Sequence, residues 1–223
     1  IFTFQIKADG FATQQVRAKV APDATTNLDI VLLPEAVLSG TVTRNGEPCA
    51  YGYVTLDLGP NQQLETSPNE HGDYELKALT AGDHNFKFTL WLYEDERGGA
   101  QQTIRRQATL RAGETTRLDV ALAGNATLEG DFDGPEDLAW FVHLYDGDPS
   151  VEANLVAGTW KFQKNHHYEL PRLPPGTYTA VGKCLRDDTK VLELAHPVVL
   201  IDNTIATLDF HFPVEEVDTA PTP

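Results

Sequence analysis

Along most of the chain, apolar residues fall at every second position in short runs, and turn-forming residues separate the runs. After Gly82, Phe86, Phe88, Leu90 and Leu92 fall on one face, while Lys87, Thr89, Trp91 and Tyr93 fall on the other. That period of two is the signature of a half-buried strand, and the first set is predicted to line a core. Punctuation at Asn45-Gly46, Ala112-Gly113, Asp146-Gly147 and Pro175-Gly176 comes at the interval a β-sandwich requires. No amphipathic helix of ordinary length is evident, and Gly134 to Leu138 has room for one helical turn at most.

The strand pattern repeats. Asn27-Leu28-Asp29-Ile30-Val31-Leu32, Arg117-Leu118-Asp119-Val120-Ala121-Leu122 and Thr207-Leu208-Asp209-Phe210-His211-Phe212 recur at a spacing of 90 residues. Val20, Leu110 and Leu200 keep the same register as the last apolar position before a polar turn. The openings Leu38-Ser39-Gly40 and Leu128-Glu129-Gly130 also match, as do two copies of Tyr-x-Leu-x-x-Leu-x-x-Gly, from Tyr74 to Gly82 and from Tyr168 to Gly176. Strands that hold register while loops vary in length are expected of a repeat.

These landmarks divide the chain into the C-terminal part of a module at 1–35, complete modules at 36–123 and 124–213, and an acidic, proline-bearing linker or tail at 214–223. Residues 1–35 match about three strands of a module, too few to bury an apolar face alone. Either the rest of that module lies upstream, or these strands complete a neighbouring copy or another chain.

Composition narrows the partners. The chain has 33 acidic and 17 basic residues, for a formal net charge of -16. So negative a surface repels phosphate backbones and anionic headgroups, which argues against nucleic acid and bare membrane. No apolar run is long enough to cross a bilayer and no cationic leader precedes one. The chain starts at Ile1 and contains no methionine, so it reads as a segment of a longer protein. Cys49 and Cys184 fall in different modules and are predicted to be buried free thiols.

The opening Leu-x-Gly-x-Val, the loop Gly46-Glu47-Pro48, the Tyr-x-Leu-x-x-Leu-x-x-Gly middle and the closing Leu-Asp strand together resemble the carboxypeptidase regulatory-like repeats. These belong to the transthyretin-like, or prealbumin-like, β-sandwich group, also called the carbohydrate-binding-like fold. The resemblance covers Ala36 to Pro213 and the tail of a copy before it. It implies an all-β fold of tandem immunoglobulin-like modules and an extracellular or cell-surface setting, with roles as stalk, spacer, adhesin segment or appendage of a secreted enzyme. The third copy departs from the pattern at Asp133-Gly134-Pro135-Glu136-Asp137. The related collagen-adhesin B-type modules carry a lysine-to-asparagine isopeptide bond. Here Thr41-Val42-Thr43 and Phe132 stand where that lysine would be, so no crosslink is expected.

Catalytic signatures are missing from the sequence. Ser39, Ser67 and Ser150 are the only serines, and none sits in a Gly-x-Ser-x-Gly elbow. There is no His-Glu-x-x-His, Cys-x-x-Cys or glycine-rich phosphate loop, so no enzyme is expected. His166 and His167 are adjacent, and on a strand adjacent side chains point to opposite faces and do not share one ion. Asp131, Asp133, Asp137, Asp146 and Asp148 supply hard oxygens suited to calcium, but their spacing matches no calcium loop and solvated turns explain them. No cofactor is therefore expected, and calcium is the one candidate.

The aromatic residues give the candidate contact site. Trp91 and Tyr93 share an outward face, and Phe141, His143 and Tyr145 oppose Val142 and Leu144. Exposed rings of this kind pack against a neighbouring module, stack on a pyranose or meet another surface protein. The pattern does not assign Trp140 or Trp160. Asn125-Ala126-Thr127 fits a glycosylation acceptor. The function expected is a non-enzymatic spacer or adhesive repeat segment of a larger surface protein, partnered by neighbouring modules of its parent chain. The alternatives are a glycan-binding accessory module and a self-assembling subunit that exchanges strands.

Overall fold

The computed structural model describes residues 1–21, 23, 25–59, 62–92, 100–134, 138–159, 166–186 and 189–212. Among these the regular structure is strand, apart from one 3-10 turn at Glu152–Asn154, and the all-β class follows. No helix among them is long and apolar enough to cross a membrane. They form two compact units. The first comprises Ile1–Thr43, Glu47–Lys87 and Arg105–Ala121; the second comprises Arg44–Gly46, Phe88–Ile104 and the chain from Leu122 onward. Residues 44–46 and 88–104, inside the stretch 36–123, thus sort with the second unit.

The first unit is organised on the opening strand Ala36–Arg44, whose residues alternate between buried and half-buried positions. It runs antiparallel to Asp73–Leu79, with Gly40 opposite Tyr74, and parallel to Thr115–Arg117, with Leu38 opposite Thr116. A bulge between Ala36 and Leu38 interrupts the first of these pairings, and Ala78 on the partner strand is left-handed, at φ 60°. Gly52–Gly59 pairs antiparallel with Gln62–Thr66 in a second sheet. Leu38, Val42 and Leu76 from the one sheet and Val54, Leu56 and Phe86 from the other are all buried.

The second unit repeats this geometry 90 to 94 residues later. Ala126–Asp133 runs antiparallel to His167–Leu173, with Gly130 opposite Tyr168, and parallel to Ile205–Thr207, with Leu128 opposite Ala206. The bulge recurs between Ala126 and Leu128, and Arg172 takes the left-handed place of Ala78, at φ 58°. In the facing sheet, Ala139–Tyr145 lies between Leu155–Thr159 and Gly176–Arg186, and Thr189–Leu200 pairs outside the latter. One apolar cluster joins the two sheets. In it Trp140 is fully buried and stacks on Phe132 at 5.3 Å, and Phe212 lies 5.1 Å from the indole.

Each unit closes through the same contact. The Tyr74 hydroxyl donates to the Leu118 carbonyl at 2.6 Å, and the Tyr168 hydroxyl donates to the Leu208 carbonyl at 2.5 Å. Those carbonyls lie against Gly40 and Gly130, where a Cβ would stand 2.0 Å from the oxygen in both units. Beside them, the Thr41 and Asp131 amides donate to Oδ1 of Asp119 and Asp209, both at 2.9 Å. Burial, reinforced by Asp119 and Asp209, pushes the two phenols well above the usual tyrosine range, so they stay protonated donors. The turns match too: Asp23, Gly113 and Asn203, spaced by 90, are all left-handed, at φ 57°, 75° and 57°.

The alternation was read correctly after Gly82, since Phe86, Phe88, Leu90 and Leu92 are all at most 1 % exposed. Cys49 and Cys184 are both buried and not disulfide-bonded, as expected. At the N-terminus, Phe2–Ile6 and Gln14–Ala18 form a two-stranded antiparallel sheet. Residues 25–33 belong to no strand. The segment is anchored within its unit by Ala12 N–H to the Leu33 carbonyl at 2.9 Å, Thr13 N–H to the Ala78 carbonyl at 2.8 Å and Ala78 N–H to Glu35 Oε2 at 2.8 Å.

Candidate functional site

Of the candidate contact residues, Phe141 lies on the outer face of the second unit. On Ala139–Tyr145, Trp140, Val142 and Leu144 point into the core, which leaves Phe141 and His143 outside. Register places Phe141 beside Lys183, His143 beside Val181 and Tyr145 beside Thr179, and one strand further out Lys183 faces Glu193. The Lys183 and Glu193 charges are 3.8 Å apart.

Tyr145 departs from the expected platform, since it is only 5 % exposed. A bulge between Leu144 and Tyr145, in the pairing with Leu155–Thr159, lets two consecutive side chains turn inward where strict alternation would expose one. Its ring is therefore unavailable for stacking, and its hydroxyl is engaged instead. Lys183 Nζ donates to it at 3.3 Å and sits 5.7 Å from the ring centroid, and His143 Nδ1 lies 3.3 Å from the same oxygen. An ammonium has no acceptor, so the phenol oxygen accepts from Lys183, and its hydroxyl can donate to Nδ1 of a neutral His143. Gly158 makes room for the imidazole: a Cβ there would come within 2.7 Å of His143 Cδ2.

Burial, helped by the Lys183 ammonium and opposed by Glu193, lowers the His143 pKa from 6.5 to about 4. The unfolded chain then binds this proton before the folded one does. The neutral-histidine contribution is complete above pH 6.5 and is lost as the pH falls toward 4. A loss of about 2 kcal/mol is expected across that window, allowing for solvent screening. Urea unfolding at several pH values should show a shallower acid slope in His143→Phe than in the parent. Parallel slopes would show that His143 does not carry the effect.

Trp91, half-buried, ends the strand Gly82–Trp91 on the face opposite Leu90. Its carbonyl accepts Arg44 Nη1 at 2.9 Å, and Arg44 Nη2 reaches Gln102 Oε1 at 3.5 Å. Arg44 and Gln102 are 8 % and 2 % exposed, so a buried polar group holds the backbone beneath the indole. Tyr93 lies outside the described residues. The structure thus puts Trp91 and Phe141 half-exposed on their strands and Tyr145 inside. Sequence reasoning missed Arg44, Gln102, Lys183 and Glu193. The last two could be found only from the hairpin register, which slips at a bulge between Cys184 and Leu185.

Three of the five carboxylates with hard oxygens suited to calcium have protein partners. Asp131 Oδ1 lies 2.9 Å from His167 Nδ1, Asp133 Oδ2 lies 3.4 Å from His211 Nδ1, and Asp148 Oδ1 accepts the Ser150 N–H at 2.8 Å. Among the described residues no three histidine, cysteine or acidic side chains converge. Asp137 and Trp160 lie outside them. His166, left-handed at φ 58°, lies 5.8 Å from Trp140, while His167 serves Asp131, so the two neighbours have separate surroundings.

No family model matches the chain, and no curated protein matches it in sequence. Among solved structures it is similar to GBS52, the minor pilin of Streptococcus agalactiae, with 11 % identity and a TM-score of 0.35 over 84 % of this chain and 99 % of that one. A Bacteroides ovatus protein described as an adhesin gives 10 % identity and a TM-score of 0.35 over 85 % of this chain and 95 % of its own. The Bacillus anthracis TIE protein gives 15 % identity and a TM-score of 0.34 over 79 % of this chain, which spans 33 % of that protein's length. At these scores the likeness extends to all-β structure and no further.

Proposed function

We propose that the chain is a non-enzymatic, load-bearing spacer segment of a larger surface or secreted protein, built from repeated β-sandwich modules. The observation that carries this reading is the parallel pairing of first and last strands. In the first unit Val37 N–H bonds the Glu114 carbonyl at 3.0 Å and Leu118 N–H bonds the Ser39 carbonyl at 2.8 Å. In the second, Thr127 N–H bonds the Thr204 carbonyl and Leu208 N–H bonds the Glu129 carbonyl, both at 2.9 Å.

Tension enters a module at the start of its opening strand and leaves at the end of its closing strand. Because these strands run parallel, the pull slides one along the other and loads their hydrogen bonds together; an antiparallel terminal pair would open one bond at a time. The Tyr74 and Tyr168 hydroxyls tie the same closing strands from the side.

Single-molecule stretching of the full chain between its ends is expected to give discrete force peaks, one for each unit. Tyr74→Phe and Tyr168→Phe should each lower one peak and cost about 1–2 kcal/mol in urea unfolding, because each removes the hydroxyl that the part-buried carbonyl accepts. Unfolding without resolvable peaks would end the spacer reading. A glycan-binding reading draws on the half-exposed rings of Trp91 and Phe141. Saturable binding on a glycan array that disappears in Trp91→Ala would favour it.

A further inference from the structure

We infer that residues 1–21 and 25–33 form a docking surface for the opening half of another module of this kind, meaning strands equivalent to residues 36–82. The inference is independent of the load-bearing role. It rests on positions that are interior in both complete units and open here. Val20 is 42 % exposed, whereas Leu110 and Leu200 are each 2 % exposed. Ile30 is half-buried, whereas Val120 and Phe210 are 2 % and 0 % exposed. In its hairpin Phe4 pairs with Val16 as Ala180 pairs with His196, yet Ala180 is 0 % exposed and Phe4 is 41 % exposed.

The missing cover can be specified residue by residue. Residues 115–117 and 205–207 are strands because an opening strand runs parallel beside them, and residues 25–27 lack that neighbour. Leu28 corresponds to Leu118 and Leu208, whose carbonyls take a buried tyrosine hydroxyl and lie against glycine. Asp29 corresponds to Asp119 and Asp209, which accept the amide just after that glycine. The occupant is therefore a strand reading Leu-x-Gly, parallel to residues 25–27, with a tyrosine on the strand behind it. The opening strands at Ala36–Arg44 and Ala126–Asp133 are already paired on both edges, so neither is free to fill the place.

The test duplicates residues 35–82 directly ahead of Ile1 in the full chain, and separately adds the same segment as a second polypeptide. Amide exchange in residues 25–33 is expected to slow at least tenfold with the fused copy, and Gly40→Val made in the added copy should abolish the slowing. Slowing by the separate polypeptide as well would locate the occupant on another molecule; slowing by the fused copy alone would locate it in line. Unchanged exchange with the fused copy overturns the inference. So does equal slowing by the Gly40→Val version, which would mark indiscriminate apolar contact. An added copy that remains unfolded also overturns it, because the same residues fold when their own closing strands are present.

Discussion

Gly130→Val is expected to lower the stability of the second unit by about 4 kcal/mol. The nearest atoms to a new Cβ would be the Leu208 carbonyl oxygen at 2.0 Å and its carbon at 2.7 Å, both backbone, with Tyr168 Cε1 at 3.1 Å. A side chain can rotate out of the way, but a carbonyl in a ladder moves only if its strand moves. Displacing that strand also breaks the Tyr168 hydroxyl bond and the pairing of Asp131 N–H with Asp209. Overpacking alone costs roughly 1–3 kcal/mol, and each buried polar group left unpaired adds about 1–3 kcal/mol. Gly40→Val should do the same to the first unit, where the distances are identical. Urea titrations followed by tyrosine and tryptophan fluorescence report both variants. A loss below about 1 kcal/mol would mean that the closing strand is not held against the glycine.

Trp140→Ala is expected to cost about 3–5 kcal/mol, the range for emptying a large aromatic site. The indole is fully buried and in contact with Phe132, Phe212 and His166. It also fills the space above Gly134, where a Cβ would come within 2.6 Å of Cη2. Its Nε1 meets no hydrogen-bond acceptor among the described residues, so Trp140→Phe, which keeps most of the volume and loses no hydrogen bond, should cost much less. The ratio of the two losses, read by denaturant unfolding and near-ultraviolet dichroism, is the informative quantity. Equal losses would show that packing volume does not set the cost.

Much of this architecture was legible because strand alternation and repetition are independent signals that agree. Trp140 shares parity with Val142 and Leu144, so the alternation already contained its placement although the sequence reading left it unassigned. The repeat, at offsets of 90 residues for Gly40 and Gly130 and 94 for Tyr74 and Tyr168, matches positions that the structure pairs alike, Gly40 opposite Tyr74 and Gly130 opposite Tyr168. Parity failed at bulges. One bulge turned Tyr145 inward, and another shifted the register that brings Lys183 to Glu193. Arg44 was invisible for a different reason: a cation at an inward position becomes tolerable only once tertiary structure supplies Trp91 O and Gln102 as acceptors.

The parallel pairing of first and last strands also sets how far the polypeptide travels. In the second unit the path enters at Ala126 and leaves past Phe210–His211, which lies beside Phe132 and Asp133 at the far end of the eight-residue opening strand. The chain is thus carried forward by roughly 25 Å, at about 3.3 Å a residue, where a hairpin-closed sandwich would return it to its start. The same residues fully extended would span on the order of 290 Å, at about 3.4 Å each. Each such unit folds away more than ten times its own advance, a store of length that is paid out only when a sandwich ruptures.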